Sequence, residues 1–165
     1  MQKGSHEVRI VCDRGAAVPV PYPLDVNAAL AERPWQYLVL HPSSLVSRDL
    51  VMRIGGYASG MRFCGDLEFL HRAAQAARVV NAPAYLYFRR IRAGSLTTAP
   101  RTRLGSAERT RVHEILGARA IANARLRALG QVPALAPYAV APPVALAHLA
   151  GPIPRYAENL DEPSL

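Results

Sequence analysis

The chain has 165 residues, half of them hydrophobic and only 19% charged, which excludes a disordered, solvating polypeptide and fits one domain with a core plus a tail. Its formal charge is +8, and of its 20 basic residues only Lys3 is a lysine. An almost pure arginine set suits nucleotides, nucleic acid or anionic lipid, but an arginine-favouring genome produces the same bias, so the charge alone names no ligand.

The N-terminal MQKGSHEVRIV lacks the long apolar stretch of a signal peptide, and residues 8–12 (VRIVC) read as a β-strand. The following AAVPVPYPLDV is too rich in proline for a helix or a central strand and is expected to be a long loop. A second short strand is expected at 37–40 (YLVL). SRDLVMRI over residues 47–54 places Leu50, Val51 and Ile54 on one helical face, and Gly55-Gly56 ends that helix. A better helix runs from Asp66 to Arg78, with Leu67, Leu70, Ala74 and Ala77 on one face, until Asn81-Ala82-Pro83 breaks it off. AYLYF at 84–88 reads as a strand leading into Arg89, Arg90 and Arg92 and a turn at Gly94-Ser95. Ser106 caps a second long helix to about Leu129, with Gly117 weakening its middle and Gly130 as C-cap. Residues 128–154 are nearly all apolar, yet prolines 133, 137, 142, 143, 152 and 154 interrupt them too often for a membrane span, so they should pack on the body or on a partner.

Cys12 and Cys64 have neither zinc-ligand nor disulfide-framework spacing, which points to a reducing, cytosolic compartment. None of His41, His71, His113 or His148 lies at metal-ligand spacing from a carboxylate or cysteine, and His6 lies in the N-terminal segment.

The most specific stretch is residues 41–98: HPSSLVSRDL, then GGY at 55–57, GDLEFLHRAA at 65–74 and YFRRIRAGSLTT at 87–98. In that order and at those spacings, over roughly residues 37–98, the chain resembles the second half of a family 2 glycosyltransferase of the GT-A fold. The family's glycine-glycine-tyrosine turn falls on Gly55, Gly56 and Tyr57. Its acidic pair falls on Gly65-Asp66, so one carboxylate is kept and the other lost. Its helix arginine falls on Arg72, and its arginine segment ending in glycine-serine falls on Arg90, Arg92 and Ser95.

The resemblance implies that Asp66 is the catalytic base. Inverting sugar transfer needs a carboxylate to take the proton from an acceptor hydroxyl as its oxygen attacks the anomeric carbon, and a helix N-terminus holds such a group rigidly in its ionised form. It also implies that Gly55, Gly56, Tyr57, Arg72, Arg90, Arg92 and Ser95 contact substrate, with Arg90 and Arg92 offsetting the charge that grows on a nucleoside diphosphate leaving group. Simpler readings stand beside these: Asp66 as a helix N-cap, Arg89, Arg90 and Arg92 as a solvated basic loop, and Ser95 as a turn residue. Glu68 and Arg72 are spaced i,i+4 and read as a surface pair contributing about 0.3 kcal/mol.

The family's nucleotide-binding half, with its Asp-x-Asp metal motif, has no counterpart in these residues; Asp161-Glu162 lies in the wrong context, and Arg92 stands where many relatives have a histidine. A divalent metal, Mg2+ or Mn2+, is thus expected for the complete family site, with no cofactor and no metal bound by this chain alone. The expected fold is α/β: a partial GT-A-like acceptor-side half-domain over residues 1–100, a helical extension over 101–130 and an alanine- and proline-rich tail over 131–165. The expected function is transfer of a sugar from a nucleotide-sugar donor to a saccharide or lipid-linked acceptor in surface polysaccharide assembly, as a fragment or with a complementing chain or second copy. The setting is cytoplasmic, or peripheral at the inner face of a membrane. An exposed apolar edge should mark where the missing sheet pairs. Two alternatives come from other classes. One is an arginine-rich module for nucleic acid or another polyanion, using the ten arginines of residues 89–127, although that span has no aromatic residue for base stacking. The other is a catalytically inactive interaction domain.

Overall fold

Residues Gln2–Val11 form the central strand, β1, of a four-stranded mixed sheet in the computed structural model, which describes residues 1–11, 15–138, 150 and 151. Antiparallel to β1 lie β2 (Ala16–Val20) along its C-terminal half and β3 (Leu45–Val46) along its N-terminal end. The long β4 (Val79–Ile91) runs parallel to β1 from Gln2 to Val11. The helices are α1 (Val26–Glu32), α2 (Arg48–Arg53), α3 (Gly65–Ala76) and α4 (Ala107–Ala128), with a 3-10 turn over His41–Ser43. The fold is therefore mixed α/β.

β1 is longer than the VRIVC signal because its first half is buried by polar contacts. Gln2 Nε2 donates to Ser44 Oγ (3.2 Å), Ser5 Oγ donates to Ser43 Oγ (2.8 Å), and His6 Nδ1 accepts from Tyr22 N (3.1 Å). Gly4 is required where β1 meets Asn81, since a Cβ there would lie 2.4 Å from Asn81 Oδ1 and 2.9 Å from Val39 Cγ1. Three expectations are corrected. Residues 37–40 form no strand: Leu38 is held by the amide of Asn81, whose Nδ2 donates to Leu38 O (2.9 Å) and Pro23 O (2.8 Å), while Val39 and Leu40 are buried. The proline-rich stretch is not all loop, because Pro19 sits in β2 at the sheet edge, where a missing N–H is tolerated, and Val26–Glu32 is helical behind an Asp25 cap. Asn81-Ala82-Pro83 does not separate helix from strand either. α3 has ended at Ala76, β4 has begun at Val79, and Pro83 coincides with the register shifts around His6.

The remaining helix signals hold. Ser47 Oγ accepts from Leu50 N (3.4 Å) at the start of α2, and Ser106 Oγ accepts from Arg109 N (3.4 Å) at the start of α4, while Gly130 takes φ +70° just beyond the α4 C-cap Leu129. α3 is not the one-faced helix its spacing suggests: every residue from Leu67 to Ala74 is buried. α1 and the sheet cover Leu70 and Ala74, α2 covers Phe69 and Ala73, and α4 places Leu116 on Leu67. α3 is thus the axis of the core, and the 101–130 segment packs directly on it through α4. Leu135 and Tyr138 pack on these clusters as the tail was expected to do, while the prolines at 142, 143, 152 and 154 and Asp161-Glu162 lie outside the described residues.

Beyond an isolated bridge from Asp25 to Val80, no described strand pairs with the outer edge of β4. On the face of β4 away from α3, Leu86 and Phe88 are 67% and 64% exposed, next to Ile10 of β1. Among the described residues no helix is long and apolar enough to cross a membrane.

Candidate functional site

α3 presents its N-terminus to a cavity of about 260 Å3 bounded by β1, β4 and the start of α4. Cys64 occupies the cap position in the left-handed region (φ 66°), the only such residue other than glycine among those described, and its side chain caps nothing. Asp66 is the second residue of the helix and not its N-cap, which corrects the capping expectation. Its Oδ1 accepts from the adjacent Leu67 N (2.9 Å), and the half-buried carboxylate lines the cavity.

The hydroxyl of Tyr37 is raised well above its ordinary value, by burial first and then by the negative charge of Asp66, so it stays protonated; it accepts a hydrogen bond from His41 N (3.1 Å). Burial and then the same carboxylate act against Arg109 on the Cys64 thiol, which is pushed up to about 11 and is not a nucleophile at neutral pH. His113 is lowered by burial and by the charge of Arg109, against a smaller opposing effect of Asp66. The opposite wall is built on Glu7, a carboxylate with no exposed surface held by Arg9 Nε (3.2 Å), Tyr22 Oη (3.0 Å) and an ion pair with Arg89. Glu7 also contributes, after burial, to raising the Tyr22 hydroxyl.

Of the residues expected at the site, the cavity takes only one. Asp66 lines the cavity. Gly55, Gly56 and Tyr57 form a turn beside α3, with both glycines in the left-handed region (φ +78° and +72°). Tyr57 stacks on Phe69 of α3 at 4.4 Å between ring centroids, its hydroxyl lies 3.1 Å from His41 Nε2, and Asp66 is close enough to act on its ionisation, which burial raises first. Arg72 is 1% exposed and spent on the protein: Nε and Nη2 fork onto Glu68 (2.8 and 2.6 Å), Nη1 donates to Ile54 O (2.5 Å), and Nη2 also donates to Gly56 O (2.7 Å). It holds the glycine turn against α3 and does not line the cavity. The expected surface pair is therefore a buried one, with Arg119 Nη1 (3.1 Å) and Tyr138 N (2.9 Å) also donating to Glu68 Oε1.

Arg90 and Arg92 are exposed and not among the cavity residues. Strand alternation puts Arg89, not Arg90, on the cavity side, together with Tyr87. Ser95 is a turn residue, its Oγ 2.9 Å from Thr98 Oγ1. The spacing thus pointed to the right segment but to the wrong parity. Arg9, Tyr22, Tyr37, Arg109 and His113 carried no local signal, because four separate elements bring them together. Of the ten arginines of residues 89–127, Arg89 serves Glu7, Arg109 is buried, Arg119 serves Glu68 and Arg127 donates to Ala74 O (3.2 Å), while Arg90, Arg92, Arg101, Arg103, Arg111 and Arg125 are exposed.

A second, open groove of about 590 Å3 adjoins the cavity and shares Leu104, Arg109 and His113 with it, its far wall being Trp35, Gly117 and Ile121. Among the described residues no group of three His, Cys, Asp or Glu side chains is placed to hold a metal ion. The described residues do not fit the divalent metal implied by the resemblance. Comparison with protein-family models, with curated proteins and with solved structures finds no match for this chain.

Proposed function

We propose that this chain is the acceptor-side part of an inverting glycosyltransferase of the family 2 kind, with a partial GT-A-like architecture and Asp66 as its general base. The observation that supports it most is the position of Asp66: a carboxylate in the first turn of the central core helix, lining a cavity whose wall also carries Arg9, Arg89 and Arg109. Asp66 takes the proton of an acceptor hydroxyl while that oxygen bonds to the anomeric carbon of the donor. The bond from that carbon to the diphosphate breaks at the same time, and the nucleoside diphosphate leaves with the electron pair. The protonated Tyr37 beside the carboxylate is a donor that orients either Asp66 or the acceptor. The glycine-glycine-tyrosine turn, tied to the same helix by Arg72 and by the Tyr57–Phe69 stack, sets the rim of the acceptor side. The nucleotide-binding half and its metal belong to another part of the system, a complementing chain or a further segment. The acceptor is a saccharide or a lipid-linked saccharide, and the setting is the cytoplasm or the inner face of a membrane.

The test is incorporation of labelled sugar from nucleotide donors into polysaccharide by extracts of source cells in which Asp66→Asn replaces the native chain. Loss of incorporation with the folded protein present at normal level supports the reading. Unchanged incorporation removes Asp66 from the chemistry and the reading with it.

A further inference from the structure

Among the described residues, Arg109 is the one arginine of the cavity without a carboxylate partner. Its side chain is anchored by neutral groups: Nε donates to Thr102 O (3.0 Å), Nη2 donates to Leu96 O (3.3 Å), and the guanidinium carbon lies 4.6 Å from the centroid of the Phe63 ring. The residue is 8% exposed and forms no ion pair with any described carboxylate. The other two cavity arginines, Arg9 and Arg89, both pair with Glu7. Burying a charge without a partner is costly, and carbonyl dipoles and a ring face hold a cation in place without neutralising it. A cation built in this way into a cavity wall is matched by an anion that arrives with the ligand.

We propose that the group entering the Asp66 cavity is an acidic sugar, whose oxyanion sits on Arg109 while one of its hydroxyls faces Asp66. This inference rests on the reading of Asp66 as the base and names the acceptor class for it. Size suits a single sugar unit around Asp66: the cavity itself is about 260 Å3, below the roughly 300–1,000 Å3 of sites for drug-sized ligands, and the adjoining groove, which shares Arg109, gives the rest of an acceptor room to extend. Charge supports an anion. Three guanidinium groups and one carboxylate, Asp66, line the cavity, and the only other described carboxylate paired with those arginines is Glu7, held by Arg9 and Arg89, so one positive charge is left over. The shared chemistry is an oxyanion on a sugar ring, either the carboxylate of a uronic acid or the phosphate of a sugar phosphate.

The experiment measures binding of glucuronate, glucose 1-phosphate and glucose to the intact chain by calorimetry, with Arg109→Gln and Arg109→Lys as variants. An anionic sugar is expected to bind about ten- to a hundredfold more tightly than glucose, the range of a charge-assisted contact. Arg109→Gln should erase that preference and Arg109→Lys, which keeps the charge, should retain most of it. Tighter binding of glucuronate assigns the carboxylate source, and tighter binding of glucose 1-phosphate the phosphate source. Equal binding of all three sugars by the native chain, a comparison that needs no variant, overturns the inference, as does a preference that survives in Arg109→Gln. Binding is read without transfer, so an intact anion preference beside unchanged incorporation in Asp66→Asn would sink the glycosyltransfer reading and leave the anion site standing.

Discussion

Removing the carboxylate of Glu68 is the perturbation whose size the structure fixes best. Glu68 and Arg72 have side chains only 2% exposed, and the Glu68 oxygens accept from Arg72 twice, from Arg119 and from the backbone of Tyr138. Glu68→Gln keeps the shape and leaves Arg72 buried with no counter-charge, so the relevant magnitude is that of breaking a buried pair, about 3–5 kcal/mol. An exposed i,i+4 pair would cost about 0.3–0.5 kcal/mol instead. Against a total stability of about 5–15 kcal/mol, the larger loss is visible as a shift in the urea midpoint with unchanged slope. Arg72→Met should be costly too, because it frees the carbonyls of Ile54 and Gly56, and the two substitutions together should show a coupling above about 1 kcal/mol. A loss below about 1 kcal/mol in Glu68→Gln would mean that water reaches the pair. The anchoring of the glycine turn on α3 would then have to be abandoned.

Further expectations follow from the burial of particular groups. His71 is lowered by burial, with the backbone of Gln36 and the charge of Glu68 acting the other way and His113 adding to the lowering, so the unfolded chain takes up its proton first. Stability is therefore full above about pH 6.5 and falls as the pH drops below it, by at most about 1.4 kcal/mol per unit, and His71→Gln should flatten that slope in urea titrations at pH 5 to 7; an unchanged slope refutes this. In a Cys12→Ser background, alkylation of Cys64 should be slow at pH 8 and keep accelerating towards about pH 11, whereas a rate that levels off by pH 9 would show a thiol far more acidic than its burial dictates. Leu86→Lys together with Phe88→Lys should raise the concentration at which the protein precipitates, since both side chains stand in an uncovered apolar patch of the sheet; no change would show that this patch does not limit solubility.

Capping and periodicity made α2 and α4 legible, since Ser47, Ser106 and Gly130 act over three or four residues and carry their signals locally, whereas α1 was not read because it follows directly on the proline-rich stretch. The sheet was less legible. β1 starts at Gln2 because the side chains of Ser43 and Ser44 and the backbone N–H of Tyr22, distant in sequence, satisfy its polar residues, and no short-range pattern announces that. The 37–40 run looks like a strand but is held by one asparagine amide in place of a ladder. Asp66 was singled out by the resemblance and lines the cavity, while Arg109 carried no local signal, because its lack of a described carboxylate partner shows only in the fold. Arg72 shows the opposite error: an arginine at substrate-contact spacing turns out to have its donors taken by carbonyls and Glu68.

The central claim is that Asp66 removes the acceptor proton, and the most direct measurement is the rate of labelled sugar transfer with Asp66→Asn against the native chain in the same reconstituted extract. Asparagine keeps the size of the side chain and cannot take the proton. The account predicts a rate lower by about 10²–10⁴-fold with an unchanged thermal unfolding midpoint. A rate within about twofold of native, from a folded protein, would contradict it.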